Sequence, residues 1–116
     1  MAAISLDLPI PPSVNRLRRV DWRGQQQLEN FKQLADWMIS AAFSPGPAPC
    51  RKITGPYQLT IAIPENRRRD LDNYHKAIID YLVSREFTPD DRQLRAFTVR
   101  WAPIKNCHVT ISEIAP

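Results

Sequence analysis

The chain has 116 residues, of which 43% are hydrophobic and 24% are charged, and its formal net charge is +4. This length suits one hydrophobic core, so we expect residues 1–116 to form a single domain. No apolar run approaches the roughly 20 residues of a membrane-spanning helix, and no secretory leader is expected. Two cysteines, Cys50 and Cys107, are too few for a disulfide framework or a cysteine zinc site. We therefore expect a cytoplasmic protein with no membrane partner.

Arginine dominates the basic residues, because 12 of the 16 are Arg and only 4 are Lys. A guanidinium group pairs with two phosphate oxygens at once, whereas an ammonium group acts as a point charge. One cluster consists of Arg16, Arg18, Arg19 and Arg23, and another of Arg67, Arg68 and Arg69. A polyanion such as nucleic acid fits this pattern, and on charge alone a solvated surface fits it about as well.

Four segments alternate apolar and polar residues, as half-buried strands do. Their inward-facing residues are predicted to be Ile4, Leu6, Leu8 and Ile10; Tyr57, Leu59, Ile61 and Ile63; Phe97, Val99 and Trp101; and Cys107, Val109 and Ile111. Prolines end the pairing of the first strand, and Pro64 ends the second.

Two other segments repeat apolar residues at spacings of three and four, which indicates amphipathic helices. The first helix is predicted from about Gly24 to the proline-rich loop at 44–49, and the second from about Leu71 to Ser84. The predicted buried faces are Leu28, Phe31, Leu34, Ala35, Met38, Ile39 and Ala42 in the first helix, and Leu71, Tyr74, Ile78 and Leu82 in the second. The order β-α-β-α-β-β predicts an α+β fold, a small mixed sheet covered by two helices.

Acidic residues cluster where the second predicted strand gives way to the second helix. Inside a helix, Asp70 and Asp72 would point about 200° apart, but with Asp70 as the N-cap both carboxylates can converge on one cation. Mg²⁺ prefers such oxygen ligands and commonly acts in phosphodiester hydrolysis. Lys76 is then placed to contact a phosphate oxygen, and the turn residues Asp90 and Asp91 are candidates to complete the site.

Each of these residues also has a purely structural interpretation. Asp70 and Asp72 suit the first turn of any helix, and Asp90 and Asp91 are common in turns. For Asp80 we favour a plain i, i+4 ion pair with Lys76. Three functions stay open on these residues: a metal-dependent nuclease, a non-catalytic structure-selective nucleic-acid-binding protein, and a small phosphoryl-transfer enzyme acting on a nucleotide.

Three blocks together resemble the RusA family of Holliday junction resolvases. Residues 67–80, RRRDLDNYHKAIID, are similar to the family signature; Pro11-Pro12-Ser13-Val14-Asn15 is similar to its N-terminal motif, and Asp90-Asp91 before a strand to its acidic turn. The resemblance implies a RusA-like fold and a homodimeric, Mg²⁺-dependent endodeoxyribonuclease, with Mn²⁺ able to substitute. Such an enzyme binds four-way DNA junctions and cuts two strands symmetrically in DNA recombination and repair, in a bacterial or phage-infected cell.

The resemblance also implies roles for particular residues. Asp70, Asp72 and Asp91 match the metal-binding catalytic carboxylates, and Lys76 matches an essential lysine. The residues that we expect to contact DNA are Asn15, Arg16, Arg18, Arg19, Arg67, Arg68 and Arg69. The chain departs from many relatives after Asn15, where Arg16-Leu17-Arg18-Arg19 replaces aromatic residues.

Overall fold

The secondary-structure elements follow one another in the predicted order. The computed structural model describes residues 3–12, 22–42, 53–66, 71 and 74–114, with only the backbone of 22–24. The elements are β1 (Ala3–Leu8), α1 (Trp22–Ala42), β2 (Tyr57–Pro64), α2 (His75–Ser84), a short 3₁₀ turn (Asp91–Gln93), β3 (Leu94–Ala102) and β4 (Cys107–Glu113). The predicted α+β class is confirmed.

The four strands form one mixed sheet in the order β1-β4-β2-β3. β4 pairs antiparallel with both β1 and β2, whereas β2 and β3 are parallel. Parallel neighbours need a crossover connection, and α2 lies in the segment that joins β2 to β3. As a result β3 is an edge strand, and the residues that follow β2 and those that precede β3 belong to one β-α-β unit.

The core lies between one face of the sheet and the two helices. β1, β2 and β4 alternate as predicted, with every second side chain buried. The helices contact each other through Phe31 of α1 and Tyr81 of α2, whose ring centroids are 5.7 Å apart. The opposite face of the sheet carries exposed polar side chains, among them Ser5, Gln58 and His108. Neither described helix combines the length and apolar character of a membrane span.

Three predicted core residues of β1 and α1 are exposed, because β1 ends sooner than the pattern suggests and the buried face of α1 is narrower. Ile10 is 55% exposed, since β1 ends at Leu8 and the alternation stops there. In α1 the buried face is a single row of residues four apart, namely Phe31, Ala35 and Ile39. Leu34, at 48% exposure, and Ala42 lie outside that row, so the prediction that both are buried is wrong.

Both helices begin at other residues than predicted. α1 starts at Trp22, two residues before the predicted start at about Gly24. The regular helix α2 starts at His75, and its N-cap is Tyr74, which makes no side-chain capping hydrogen bond. Tyr74 is buried, and its ring lies edge-on to that of Trp101 at a centroid distance of 6.2 Å. Asp70, which the sequence predicts as the N-cap, lies outside the described residues.

Candidate functional site

Residues from two of the predicted motifs, the segment 67–80 and the acidic turn at 90–91, lie at one cavity. Lys76 from α2 and Asp91 from the 3₁₀ turn both line a cavity of about 230 Å³ beside the edge strand β3. Asp80, one turn along α2 from Lys76, lines it too. The other described residues that line it are His75, Ile79, Leu94 and Phe97. The cavity thus joins a polar group of two carboxylates and an ammonium to a wall that is largely apolar.

The amphipathic character of α2 directs Lys76 and Asp80 to the surface. Ala77, Ile78 and Tyr81 form the buried face of α2, and Lys76 and Asp80 lie outside that face. Lys76 Nζ lies 3.8 Å from Asp80 Oδ2, and 60% and 49% of the two side-chain surfaces remain exposed. The ion pair expected for Asp80 is therefore present. The placement of Asp80 at the cavity was not predicted, because its i, i+4 spacing from Lys76 does not indicate that the turn containing Asp91 lies nearby.

The backbone of the acidic turn presents Asp91 to the cavity. Asp90 is the N-cap of the 3₁₀ turn, and its Oδ1 accepts a 3.1 Å hydrogen bond from the backbone N–H of Arg92. The Asp90 carbonyl accepts a second bond, 3.0 Å long, from the N–H of Gln93. Asp90 is thereby committed to holding the turn. Asp91, the first residue of the turn, stays exposed and faces α2.

Crowded carboxylates give Asp91 an unusual charge environment. A side-chain hydrogen bond with Asp90 raises the pKa of Asp91, and the negative charge of Asp80 raises it further. Lys76 acts in the opposite direction but does not cancel these effects. The same hydrogen bond, together with the N–H of Arg92, lowers the pKa of Asp90. Among the described side chains at the cavity, Asp80 and Asp91 outweigh the charge of Lys76, and a bound cation would relieve that excess.

The oxygen ligands that these side chains offer are of the type that binds a hard divalent cation. Mg²⁺ prefers carboxylate oxygens, and Asp80 and Asp91 supply them beside the cavity. Across the described ranges, no three His, Cys, Asp or Glu side chains gather into a group that could hold a metal. Asp70 and Asp72, the other predicted ligands, lie outside the described residues. The three-carboxylate metal centre therefore stays a prediction.

The predicted DNA-binding residues also fall outside the described part of the chain; they are Asn15, Arg16, Arg18, Arg19, Arg67, Arg68 and Arg69. One described arginine lies close to the site: Arg92 directly follows Asp91, its side chain is 88% exposed, and its Nε is 3.7 Å from Asp90 Oδ2. Such an exposed pair is weak, so this guanidinium is free to exchange partners.

His75 and Phe97 also line the cavity, which the sequence pattern does not predict. Their rings stack with centroids 5.0 Å apart and planes inclined by 26°. The signal available was the alternation of β3, which assigns Phe97 to the inward face. The alternation therefore predicts that Phe97 is buried, because nothing in the sequence identifies β3 as the edge of the sheet.

A second cavity, of about 330 Å³, lies between the helices, and its charged side chains pair with each other. It is lined by Asp36, Ile39, Ser40, Tyr81, Arg85 and Phe87. The Tyr81 hydroxyl donates a 2.6 Å hydrogen bond to Asp36, and Arg85 donates two more, of 2.9 and 3.0 Å, to the same carboxylate. Arg85 lowers the pKa of Asp36, whereas burial raises that of Tyr81. With every charge paired, this group joins α1 to α2.

Comparison with known proteins shows which family the chain belongs to. The model of the family described as endodeoxyribonuclease RusA matches residues 9–112, which include all the predicted blocks. This match defines the class of the protein as a nuclease, an enzyme that hydrolyses phosphodiester bonds.

Curated relatives match over nearly the whole chain. The crossover junction endodeoxyribonucleases RusA of Escherichia coli strain K12 and of Shigella sonnei strain Ss046 are each 32% identical over 124 aligned positions, covering 98% of this chain and 98% of theirs. The crossover junction endodeoxyribonuclease of Enterobacteria phage HK97 is 29% identical over 93 residues, covering 74% of this chain and 72% of its own. The chain belongs to the endodeoxyribonuclease RusA family.

Proposed function

We propose that this protein is a Mg²⁺-dependent endodeoxyribonuclease that resolves four-way DNA junctions. The observation that carries the proposal is the shared cavity of Lys76, from the first turn of α2, and Asp91, from the turn that precedes β3. Family membership supplies the substrate class, since the curated relatives are named for action on crossover junctions. Action in DNA recombination and repair, in the cytoplasm of a bacterial or phage-infected cell, follows from that substrate.

Asp70, Asp72 and Asp91 would hold the metal, with Mn²⁺ able to replace Mg²⁺. The chemistry that the bound ion supplies is orientation of the phosphate, stabilisation of developing charge and acidification of a water molecule. Lys76 neutralises a phosphate oxygen in the transition state, because its ammonium already lies at the cavity and is only weakly held by Asp80. Hydrolysis leaves 5′-phosphate and 3′-hydroxyl ends.

The arginine clusters bind the remaining phosphates of the junction. Each arginine that neutralises a phosphate releases condensed counterions, so affinity falls steeply as salt rises. The expected contacts are Asn15, Arg16, Arg18, Arg19, Arg67, Arg68 and Arg69. Two copies of the single domain 1–116 in a two-fold dimer place two identical sites on opposite strands, which accounts for paired symmetric cuts.

The test is cleavage of a labelled four-way junction, a plain duplex and free nucleotides, each with and without Mg²⁺. We expect cleavage of the junction only, and only with the metal. Asp70→Asn and Asp91→Asn should bind the junction but fail to cut it. Asp7→Asn is a matched control, because Asp7 lies on the polar face of the sheet and pairs with His108 at 2.9 Å.

Other outcomes identify the alternatives. Junction binding without metal-dependent cleavage by the parent protein indicates a non-catalytic structure-selective binder. Turnover of free nucleotides with intact junctions indicates a small phosphoryl-transfer enzyme. Cleavage by Asp91→Asn at the parental rate contradicts the assignment of Asp91 as a metal ligand.

A further inference from the structure

Phe97 is an inward-facing strand residue that the helical layer fails to cover. In the parallel register of β2 and β3, Phe97 lies beside Leu59, on the face of the sheet that the helices cover. Leu59 is 2% exposed, yet Phe97 is 46% exposed. Burying the exposed half of this aromatic ring would be stabilising. A ligand that covers Phe97 when the protein functions would gain that stabilisation.

His75 holds this ring in place. The two rings stack at a centroid distance of 5.0 Å and an angle of 26°. His75 Nδ1 is buried and has no hydrogen-bond partner within the part of the chain that the structure describes. The imidazole is therefore positioned by packing against Phe97. A ring that is held before binding loses little conformational entropy when a ligand covers it.

The stacked pair forms one wall of the cavity that Lys76, Asp80 and Asp91 also line. Ile79 and Leu94 extend this wall, so one side of the cavity is apolar and the other is charged. A nucleotide has the same division, with a flat apolar base at one end and a charged phosphate at the other. A cavity of about 230 Å³ is smaller than the roughly 300–1,000 Å³ of drug-sized sites, which suits one flat ring rather than a base pair.

The geometry points to Phe97, backed by His75, as a stacking platform for one unpaired nucleobase beside the scissile phosphate. This inference rests on the proposed function and adds a base-binding subsite to it. Aromatic side chains stack on bases of any sequence, and a base that is already unpaired costs least to displace. A branch point, where base stacking is interrupted, offers such bases, whereas a continuous duplex does not. Phe97 therefore contributes to selection of the branched substrate.

A double-mutant cycle between protein and DNA tests the platform. Binding is measured without divalent metal for the parent, Phe97→Ala and Phe97→Leu, on the intact junction and on a series lacking one base at each position next to the branch point. On the intact junction we expect Phe97→Ala to weaken binding by roughly 5- to 100-fold, the usual effect of losing one base stack. On the junction lacking the stacked base, the same substitution should change binding less than about 2-fold. Phe97→Trp should retain parental affinity, and Phe97→Leu should resemble Phe97→Ala.

Controls separate stacking from stability and assembly. Ile104→Ala removes another exposed apolar side chain, 38% exposed and outside the cavity, and should leave junction affinity unchanged. Sedimentation of each variant should match the parent, and each variant should remain folded at the assay temperature. Equal losses on intact and base-lacking junctions overturn the inference, as does a change of oligomeric state in Phe97→Ala, which identifies Phe97 as a subunit contact. A parent protein that does not prefer junctions to duplex overturns the proposed function itself, and the two failures are thereby distinguishable.

Discussion

Lys76 and Asp80 form an ion pair at 3.8 Å across one turn of α2, and about half or more of each side-chain surface is open to solvent. An exposed pair of this spacing stabilises a helix by only a few tenths of a kcal/mol. The ammonium group is thus held over the cavity without being fixed to Asp80. Such a lysine can transfer to a phosphate oxygen at little energetic cost, which is the property that the proposed role requires.

Replacing Lys76 with alanine is expected to separate catalysis from stability. Loss of one electrostatic donor in a transition state slows reactions by about 10²–10³-fold, so junction cleavage should fall by that factor. The free energy of unfolding should change by less than about 0.5 kcal/mol, because the ion pair is exposed. Lys105→Ala is the matched control, since Lys105 is exposed and lies outside the cavity. Equal effects of the two substitutions on cleavage rate contradict the assignment.

Asp90 should affect the pH at which the cleavage rate declines on the acidic side of the pH profile. A carboxyl must be ionised to bind a metal, so with Asp91 as the proposed metal ligand its raised pKa should make cleavage fall off at a higher pH than for an ordinary aspartate. Asp90→Asn removes the largest cause of that shift and keeps an amide oxygen able to accept from the N–H of Arg92. The acid limb should therefore move to lower pH.

This shift has a readout that does not need activity. An NMR titration of the Asp91 carboxyl in metal-free protein should show a lower pKa in Asp90→Asn than in the parent. Asp7→Asn should leave both the titration and the cleavage profile unchanged. An unchanged or raised Asp91 pKa in Asp90→Asn shows that the two carboxyls do not interact as the structure indicates.

Removing the hydroxyl of Tyr81 should weaken the contact between α1 and α2. Tyr81→Phe keeps the buried ring but loses the 2.6 Å hydrogen bond to Asp36. We expect a loss of about 1 kcal/mol in the free energy of unfolding by urea. The Tyr57 hydroxyl lies near that of Thr88 but makes no hydrogen bond of good geometry, so Tyr57→Phe should cost less. A larger loss for Tyr57→Phe would reverse this ranking of the two hydroxyls.

The ion pair of Asp36 and Arg85 should stabilise the fold only above acidic pH. Arg85 lowers the folded-state pKa of Asp36 below the ordinary value of 3.8. A depressed carboxyl pKa adds stability that is present above the unfolded value and disappears as the pH falls through the folded value. Urea unfolding of the parent should show this decline below about pH 4. In Arg85→Ala the decline should be smaller, and an equal decline in both proteins contradicts the pairing.

Cys107 should be inert to thiol reagents in the folded protein. Its side chain is fully buried in β4, and burial raises the pKa of its thiol to about 12. The reactive thiolate is therefore scarce and inaccessible at neutral pH. In Cys50→Ser, labelling by iodoacetamide should be slow in buffer and fast in urea above the unfolding midpoint. Rapid labelling in buffer indicates that β4 opens locally.

Much of the secondary structure was predictable from local pattern. In β2, Tyr57, Leu59 and Ile61 face the core and alternate with polar residues, because one covered face of a sheet imposes a period of two. The boundaries of α2 were less predictable. The pattern extends the helix to Leu71, but the regular helix begins at His75, directly after Tyr74, whose ring packs against Trp101.

By itself the sequence determined the order of the elements, the α+β class and the family, because periodicity and motif spacing are properties of the chain as written. Only the tertiary structure decided that Asp91 lies with Lys76 and Asp80 at one cavity, and that Phe97 remains open beside them. These relations depend on β3 being the edge strand, parallel to β2. Strand order is set by long-range packing and chain crossover, which leave no local mark on the residues involved.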